Sequence, residues 1–129
     1  MSKASERGAV AVEFAIVAPL LVMLLLGIME FSRVYNAQAS LSAAAREGVR
    51  VMAITGNAST AKNAAKGTAW SLTPALKDTD FVFGTACPPT IPPGTSPQTT
   101  FTVNYTLSTI TGIAGPFKMS GTGAMLCGG

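Results

Sequence analysis

An unbroken apolar stretch from Ala9 to Met29 constrains this chain more than any other feature of its sequence. Every side chain in the stretch is apolar or is the single hydrogen of glycine, except that of Glu13. Roughly 21 helical residues at about 1.5 Å each are enough to cross the hydrocarbon core of a bilayer, which is about 30 Å thick. A carboxylate near one end of such a span costs free energy, so Glu13 needs a partner or a function. The stretch therefore predicts a membrane-spanning helix.

The charges that flank the apolar stretch predict its orientation. Lys3 and Arg7 precede it, whereas Arg33 is the only basic residue close after it and is offset by Glu30. Basic residues favour the cytoplasmic side of a membrane. We therefore expect a single-pass protein with a cytoplasmic leader at residues 1–8, and with the residues after the span outside the cytoplasm.

Two cysteines, Cys87 and Cys127, fall in the part of the chain that this orientation sends out of the cytoplasm. Disulfides form and persist in such compartments. The single pairing that two cysteines allow would close a loop of about 40 residues and stabilise the fold by roughly 3 to 4 kcal/mol. Two unpaired, buried thiols are the alternative.

The composition disfavours several classes of function. The chain has no histidine, which removes Ser-His-Asp and Cys-His catalysis and the commonest metal ligand. Its nine lysines and arginines are dispersed, without the basic cluster expected of a nucleic-acid-binding surface. The best candidates for catalysis are Asp78 and Asp80 with Lys77, and two carboxylates so placed are typical of a solvated turn. We predict no enzyme activity, no catalytic residue, no metal or cofactor, and no nucleic-acid partner.

The first helix is predicted to continue beyond the membrane. It would run from Val10 to about Ile54, followed by Gly56, which is suited to a helix end. Pro19 and Gly27 inside it predict a kink or local melting. We divide it into a membrane part at residues 9–30 and a stalk at residues 31–55. After the apolar stretch, one stripe is formed at helical spacing by Phe31, Val34, Tyr35, Gln38, Leu41, Ala45, Val49 and Met52.

The remaining residues, 56–129, are predicted to form a small exposed domain. A second short helix from Ser59 to Leu72 would turn its alanines inward, with Trp70 packed on the first helix or on a sheet. The predicted strands are Phe81–Phe83, Thr99–Leu107 and Phe117–Cys127. The predicted fold class is α+β, with a long amino-terminal transmembrane and stalk α-helix, a second short helix, and a small antiparallel β-sheet with one disulfide.

Glu13 lies one helical turn after Ala9, and this spacing gives the carboxylate a role if the chain is cut after Gly8. A protease acting at the cytoplasmic face would create an α-amino group on Ala9. The ammonium and the carboxylate would neutralise each other within one chain or between neighbours, so that a subunit docks by satisfying a costly buried charge. In the alternative, Glu13 reaches the lipid headgroups of an ordinary signal anchor.

Three blocks of sequence resemble the TadE-like family of pseudopilins. They are residues 7–21 (RGAVAVEFAIVAPLL), 26–31 (LGIMEF) and 44–50 (AAREGVR), in that order. The late cysteines are similar to the two-cysteine ending of the family. The resemblance implies a minor pilin of the bacterial tight-adherence (Tad, or Flp) pilus, a relative of the type IV pilus that is made by a type II secretion-like machine. Such a subunit would take part in pilus assembly or initiation and so support surface adherence.

The same resemblance assigns roles to the residues around the start of the span. Gly8 would be the last leader residue and Ala9 the first mature one, with the cut made by a dedicated aspartic prepilin peptidase. Glu13 and Phe14 would be the acidic and aromatic pair that follows the cut. The implied partners are the membrane, the peptidase, other pilins and pseudopilins, and assembly platform proteins. The implied location is the bacterial inner membrane with the outer domain in the periplasm, or an extracellular pilus.

Two other kinds of protein are compatible with the sequence. Residues 37–39 (Ala-Gln-Ala) have the small-x-small form of a signal-peptidase site, which would give a secreted protein beginning at Ser40. Glu30, Arg33 and the long gap after Met29 argue against that cleavage. A single-pass membrane-anchored surface protein or adhesin without pilin processing is the second alternative, since the uncharged, threonine-rich strands could meet a partner.

Overall fold

A computed structural model describes residues 3–128 of the chain. Its elements are α1 (Lys3–Thr55), α2 (Ala58–Thr68), a short 3-10 helix (Asp78–Asp80), β1 (Phe81–Phe83), β2 (Gln98–Leu107) and β3 (Phe117–Leu126). The three strands form one antiparallel sheet in the order β1-β2-β3. The predicted α+β fold is confirmed, with its long first helix, short second helix, small sheet and disulfide between Cys87 and Cys127.

The chain divides into two compact units, of which the first ends at Arg33 and the second begins at Val34. The first unit is the amino-terminal part of α1. It stays helical through Pro19 and Gly27, so the predicted local melting is wrong. A proline removes one backbone donor, but its fixed φ of about −65° is itself helical, so the chain continues on both sides. At the end of this unit Arg33 Nη1 and Glu30 Oε2 lie 3.9 Å apart in a salt bridge.

The core of the second unit lies between one stripe of α1 and one face of the sheet. Alternate residues of β2 point into this core, and Phe101 and Val103 among them are completely buried. The Phe101 ring contacts the rings of Phe81 and Phe83, with centroids 5.5 and 5.2 Å away. The buried stripe of α1 consists of Ala37, Leu41, Ala44, Ala45, Gly48, Val49, Met52 and Ala53.

The predicted stripe of α1 is wrong at its beginning. Phe31 and Tyr35 are 72% and 70% exposed, although they share a face of the helix with Val49 and Ala53, and the buried stripe begins only at Ala37. The predicted boundaries between leader, span, stalk and outer domain stay a prediction. The stripe nevertheless shows that residues 37–53 contribute to the core of the second unit and not only to a stalk.

Two glycines of β3 allow the sheet to approach the backbone of α1. A Cβ atom added at Gly121 would lie 2.5 Å from the carbonyl oxygen of Leu41. A Cβ atom added at Gly123 would lie 2.7 Å from the carbonyl oxygen of Ala45. These distances are too short for any side chain, so glycine is required where the strand meets the helix.

α1 and β3 run in the same direction through the second unit. Four contacts, taken in chain order, join Gln38 to Ser120, Leu41 to Gly121, Ala45 to Gly123 and Ala53 to Gly128. The first is a hydrogen bond of 3.0 Å from Gln38 Nε2 to the carbonyl oxygen of Ser120. The beginning of β3 therefore lies at the same end of the unit as Val34, and its last residues lie at the end that carries Ala53.

α2 begins at an Asn57 cap, whose Oδ1 accepts hydrogen bonds from the backbone N–H groups two and three residues later, at 2.9 and 3.2 Å. Such caps satisfy donors that the first turn of a helix leaves without partners. Of the predicted inner face, Ala61, Ala65, Ala69 and Leu72 are buried, whereas Ala64 is only half-buried. The short helix is thus held by its cap and by its alanines against the core.

The predicted packing of Trp70 is wrong, because its side chain is 83% exposed. α2 ends at Thr68, four residues before the predicted end. Ala69 and Leu72 take the inward positions, and a residue next to an inward one points about 100° away in a helical turn. Trp70 therefore faces away from the core.

Candidate processing and assembly site

The four residues of the predicted processing and assembly motif lie near the start of α1. Gly8 and Ala9 are helical and exposed, and nothing lies within 4 Å of the position that a Cβ atom on Gly8 would occupy. Glu13 and Phe14 follow on the same helix and are also exposed. The helix thus presents all four within two turns, on a surface that no other part of residues 3–128 covers.

Ala9 and Glu13 lie on the same side of the helix, because residues four apart are neighbours on its surface. The helical rise separates them by about 6 Å along the axis. Among the described residues, no salt bridge involves Glu13. Its carboxylate can therefore pair with a cation from another chain, or with an amino group created at Ala9.

The helix surface around Glu13 is apolar and exposed. Val12, Phe14 and Ile16 are 62%, 71% and 69% exposed. None of the most apolar part of α1 is buried. By length and composition α1 can cross a membrane. A signal sequence near an amino terminus has a similar length and composition.

The same helix carries a family signature. Residues 8–50 match the family model described as TadE-like protein. This segment is similar to TadE-like proteins. The resemblance expected from the sequence is thereby confirmed over these residues, and it supports a protein associated with a Tad pilus. No curated protein and no solved structure gives a significant match to the chain.

The TadE-like segment begins at Gly8 and ends at Arg50, within α1. It therefore includes the whole apolar stretch and most of the buried stripe, whereas α2 and the sheet lie outside it. TadE-like proteins are pilin-like parts of a pilus and are not known as enzymes. The apolar helix agrees with the membrane anchor that this family implies.

The predicted disulfide is present, so the alternative of two unpaired thiols is wrong. The sulfurs of Cys87 and Cys127 are bonded at 2.00 Å, and their Cα atoms are 5.5 Å apart. The bond joins the segment after β1 to the residue after β3. The backbone N–H of Cys127 also donates a hydrogen bond of 2.9 Å to the carbonyl oxygen of Pro97. The disulfide and this hydrogen bond thus connect the end of β3 to the segment between β1 and β2.

The acidic residues considered for catalysis have structural partners. Asp78 Oδ1 accepts a hydrogen bond of 2.8 Å from Lys66 Nζ, and Asp80 Oδ2 accepts one of 2.7 Å from the backbone N–H of Lys77. The hydrogen bond from Lys66 and then its charge lower the pKa of Asp78. Within residues 3–128, no group of three or more His, Cys, Asp or Glu side chains could hold a metal ion. Asp78 thus joins the 3-10 helix to α2, and Asp80 binds the backbone at the start of the 3-10 helix.

Two features of the second unit were missed by sequence analysis. One is the glycine contact with α1, which the alternation Ser-Gly-Thr-Gly-Ala at residues 120–124 could have indicated, since glycine stands where apolar side chains are expected. The other is the exposure of Ile110 and Ile113, at 56% and 83%, in the turn after β2. The available signal was the presence of two isoleucines in an uncharged turn.

Proposed function

We propose that this chain is a minor pilin of a Tad pilus, cut by a prepilin peptidase between Gly8 and Ala9 and anchored in the bacterial inner membrane by residues 9–30. The observation that carries the proposal is the TadE-like match, which begins at Gly8 and includes the whole apolar stretch. The exposure of that stretch supports a lipid environment, because a surface so apolar is unfavourable in water.

Glu13 would serve assembly by forming a charge pair inside the membrane. The cut after Gly8 creates an ammonium on Ala9, and the same ammonium on a staggered neighbouring subunit could meet the Glu13 carboxylate. Neutralising a lone charge in the span is worth on the order of a few kcal/mol. Phe14 beside it would pack against the adjacent apolar helix. The charge pair would fix the register between the two neighbouring helices, which apolar packing alone does not determine.

The second unit would lie in the periplasm and, after assembly, in the pilus. An oxidising compartment keeps the bond between Cys87 and Cys127 intact, which agrees with that location. The partners in this proposal are the prepilin peptidase, the other pilins and pseudopilins, and the proteins of the assembly platform.

Secretion after cleavage between Ala39 and Ser40 is less compatible with the fold. Ala37 is buried in the core, and Gln38 donates its hydrogen bond to Ser120. Cleavage at that point would remove both residues from the folded unit. A mature protein that begins at Ala9 keeps them, as does an uncut chain, so the contacts argue against cleavage before Ser40.

Intact mass and amino-terminal sequencing of the protein extracted from membranes of its native host test the cut. We expect a mature terminus at Ala9. Gly8→Leu should abolish processing, whereas Gly27→Leu, at a glycine of the same helix with equally open surroundings, should be processed normally. A terminus at Ser40, or cutting of the Gly8→Leu variant at Ala9, would contradict the proposal. An uncut wild-type chain would instead favour a plain membrane anchor.

Incorporation into sheared pili tests the role of Glu13. Glu13→Gln and Glu13→Val should insert in the membrane and be cut, yet their amount in pili should fall about tenfold or more, because the charge pair that compensates burial is lost. Glu6→Gln changes an exposed carboxylate on the leader side of the cut and should leave incorporation unchanged. Normal incorporation of both Glu13 variants would remove the pairing mechanism while leaving the cleavage result untouched.

A further inference from the structure

We propose that the loop between β2 and β3, residues 108–116, inserts its two isoleucines into the headgroup region of the bilayer that holds α1. This segment is called the β2–β3 loop below. The proposal rests on the membrane anchoring in the proposed function. It needs neither cleavage after Gly8 nor a particular direction of the span.

The β2–β3 loop lies at the Val34 end of the second unit. Gly121 contacts the α1 backbone at Leu41, and Phe117 precedes Gly121 by four strand residues, or about 13 Å. Within the second unit α1 extends about 11 Å, or seven helical residues, from Leu41 back to Val34. Since α1 and β3 run in the same direction, Phe117 lies at the Val34 end of the second unit. The loop starts beyond the pair formed by Phe117 and Leu107, so it occupies that end of the unit.

Chain connectivity holds this end of the unit close to the bilayer. The apolar stretch ends at Met29, and only five residues lead from it to Val34. Those residues are helical and advance by about 7.5 Å. The headgroup region extends about 5 to 7 Å beyond the hydrocarbon on each side. A loop at the Val34 end is therefore within reach of the headgroups.

The β2–β3 loop has the chemistry of a segment that enters this region. Its sequence, Ser-Thr-Ile-Thr-Gly-Ile-Ala-Gly-Pro, contains no charge, and Ile110 and Ile113 are 56% and 83% exposed. Moving such exposed apolar surface out of water is favourable. Lys118 follows the loop and is exposed, so that its ammonium can meet lipid phosphates while its stem lies along apolar surface.

Two backbone N–H groups of the loop are hydrogen-bonded within the loop, which suits a medium with little water. Thr109 Oγ1 accepts a hydrogen bond of 3.1 Å from the N–H of Gly112, and Thr111 Oγ1 accepts one of 3.4 Å from the N–H of Ile113. Gly112 has a φ of +68°, a conformation that favours glycine and lets the loop turn tightly. Backbone donors that enter lipid must be satisfied within the protein, and these threonines satisfy two of them.

Quenching by brominated lipids tests the proposal on the full chain in vesicles. Trp70 is the only tryptophan and is exposed, so Trp70→Phe gives a background without tryptophan fluorescence. Ile113→Trp in that background reports on the loop. Ile91→Trp is the matched control, since Ile91 is an exposed isoleucine near Gly128, at the opposite end of the unit. Leu24→Trp reports on the span itself.

We expect lipids brominated near the headgroups to quench the Ile113→Trp variant at least about twofold more than the Ile91→Trp variant, with emission shifted to the blue. Equal quenching at the two positions, with Leu24→Trp strongly quenched by deeper bromines, would overturn the loop contact and leave the anchor intact. A blue shift without quenching by lipid would assign the loop to a protein neighbour and overturn the proposal. Absence of quenching at Leu24→Trp would overturn the anchor and the loop contact together.

Discussion

Glycine at position 48 sets the distance between α1 and β2. The Phe101 ring lies directly against this glycine, and a Cβ atom there would overlap the ring. Phe101 is completely buried and also contacts Phe81 and Phe83. The ring therefore cannot move away without displacing its neighbours, and the helix would have to shift instead.

Gly48→Ala is expected to destabilise the second unit by about 1 to 3 kcal/mol, because overpacking outweighs the gain in helix propensity of about 1 kcal/mol. Gly67→Ala is the matched control, since this exposed glycine of α2 has open space around it. It should be neutral or stabilising by up to about 1 kcal/mol. Chemical denaturation of the full chain in detergent micelles, followed by near-ultraviolet circular dichroism, measures both. A Gly48→Ala variant as stable as the wild type would contradict the close packing.

At the scale of elements, one ion pair fastens α2 to the 3-10 helix. Lys66 on α2 donates to Asp78 at 2.8 Å, and the pKa of Asp78 falls below its ordinary 3.8 because of that hydrogen bond and the charge of Lys66. A carboxyl with a lower pKa in the folded state adds stability above its unfolded pKa, and this contribution disappears as the pH falls through the folded pKa. Both groups are accessible to solvent, so salt screens the pair and its effect is small.

Asp78→Asn should lower the thermal midpoint slightly at about pH 5 and low salt, and the difference from the wild type should vanish as the pH falls below 3.8 and through the lowered pKa of Asp78. Lys66→Met should reproduce the loss at the higher pH, because it removes the other partner. Midpoints measured across this pH range check the sign. A difference that stays constant with pH would show that the carboxylate charge of Asp78 is not responsible.

The elements that could be predicted are those whose periodicity is unambiguous. The alternation of Phe101, Val103, Tyr105 and Leu107 predicts a strand with one buried face, and β2 has that face. The end of α2 and the direction of Trp70 could not be predicted, because the inward spacing continues through Ala69 to Leu72 although the helix ends at Thr68. Close contacts between backbones, as at Gly121, depend on a partner element that a single strand does not reveal.

In the candidate site, the positions of Glu13 and Phe14 on a helix follow from the sequence, whereas the roles of the site residues do not. The apolar pattern predicts a helix that begins at Val10 and carries Glu13 and Phe14, and the structure confirms both positions. The predicted start is wrong, because α1 begins at Lys3 and so includes Gly8 and Ala9 as well. The roles of all four residues depend on a peptidase and on neighbouring subunits. The sequence of this chain does not specify the contacts that those proteins make. Cleavage and charge pairing therefore stay predictions, with the experiments given above.

At the scale of the whole molecule, the disulfide links segments that are far apart in the chain. Cys87 and Cys127 are separated by 40 residues, and the closed loop contains β2, β3 and the turn between them. A cross-link of this length restricts the unfolded chain strongly. Most of the sheet is therefore enclosed in one covalent loop, which matters in a unit with a core this small.

Cys87→Ser combined with Cys127→Ser should lower the free energy of unfolding of the second unit by roughly 3 to 4 kcal/mol. Denaturation of the wild type with and without a reductant measures the same quantity. The double variant is the control for the reductant, because its unfolding should be unaffected by it. A wild-type protein whose stability is unchanged on reduction would contradict this prediction.

The shared direction of α1 and β3 gives the protein a mechanical property. A tensile force applied at Val34, where α1 enters the second unit, would run along the helix and reach β3 where Gly121 and Gly123 meet the helix backbone. β3 pairs with β2 over all ten of its residues, so the force would act along the strand and load these hydrogen bonds together in shear. The second unit, pulled from this end, would resist until the whole strand pair gives way, instead of opening one bond at a time.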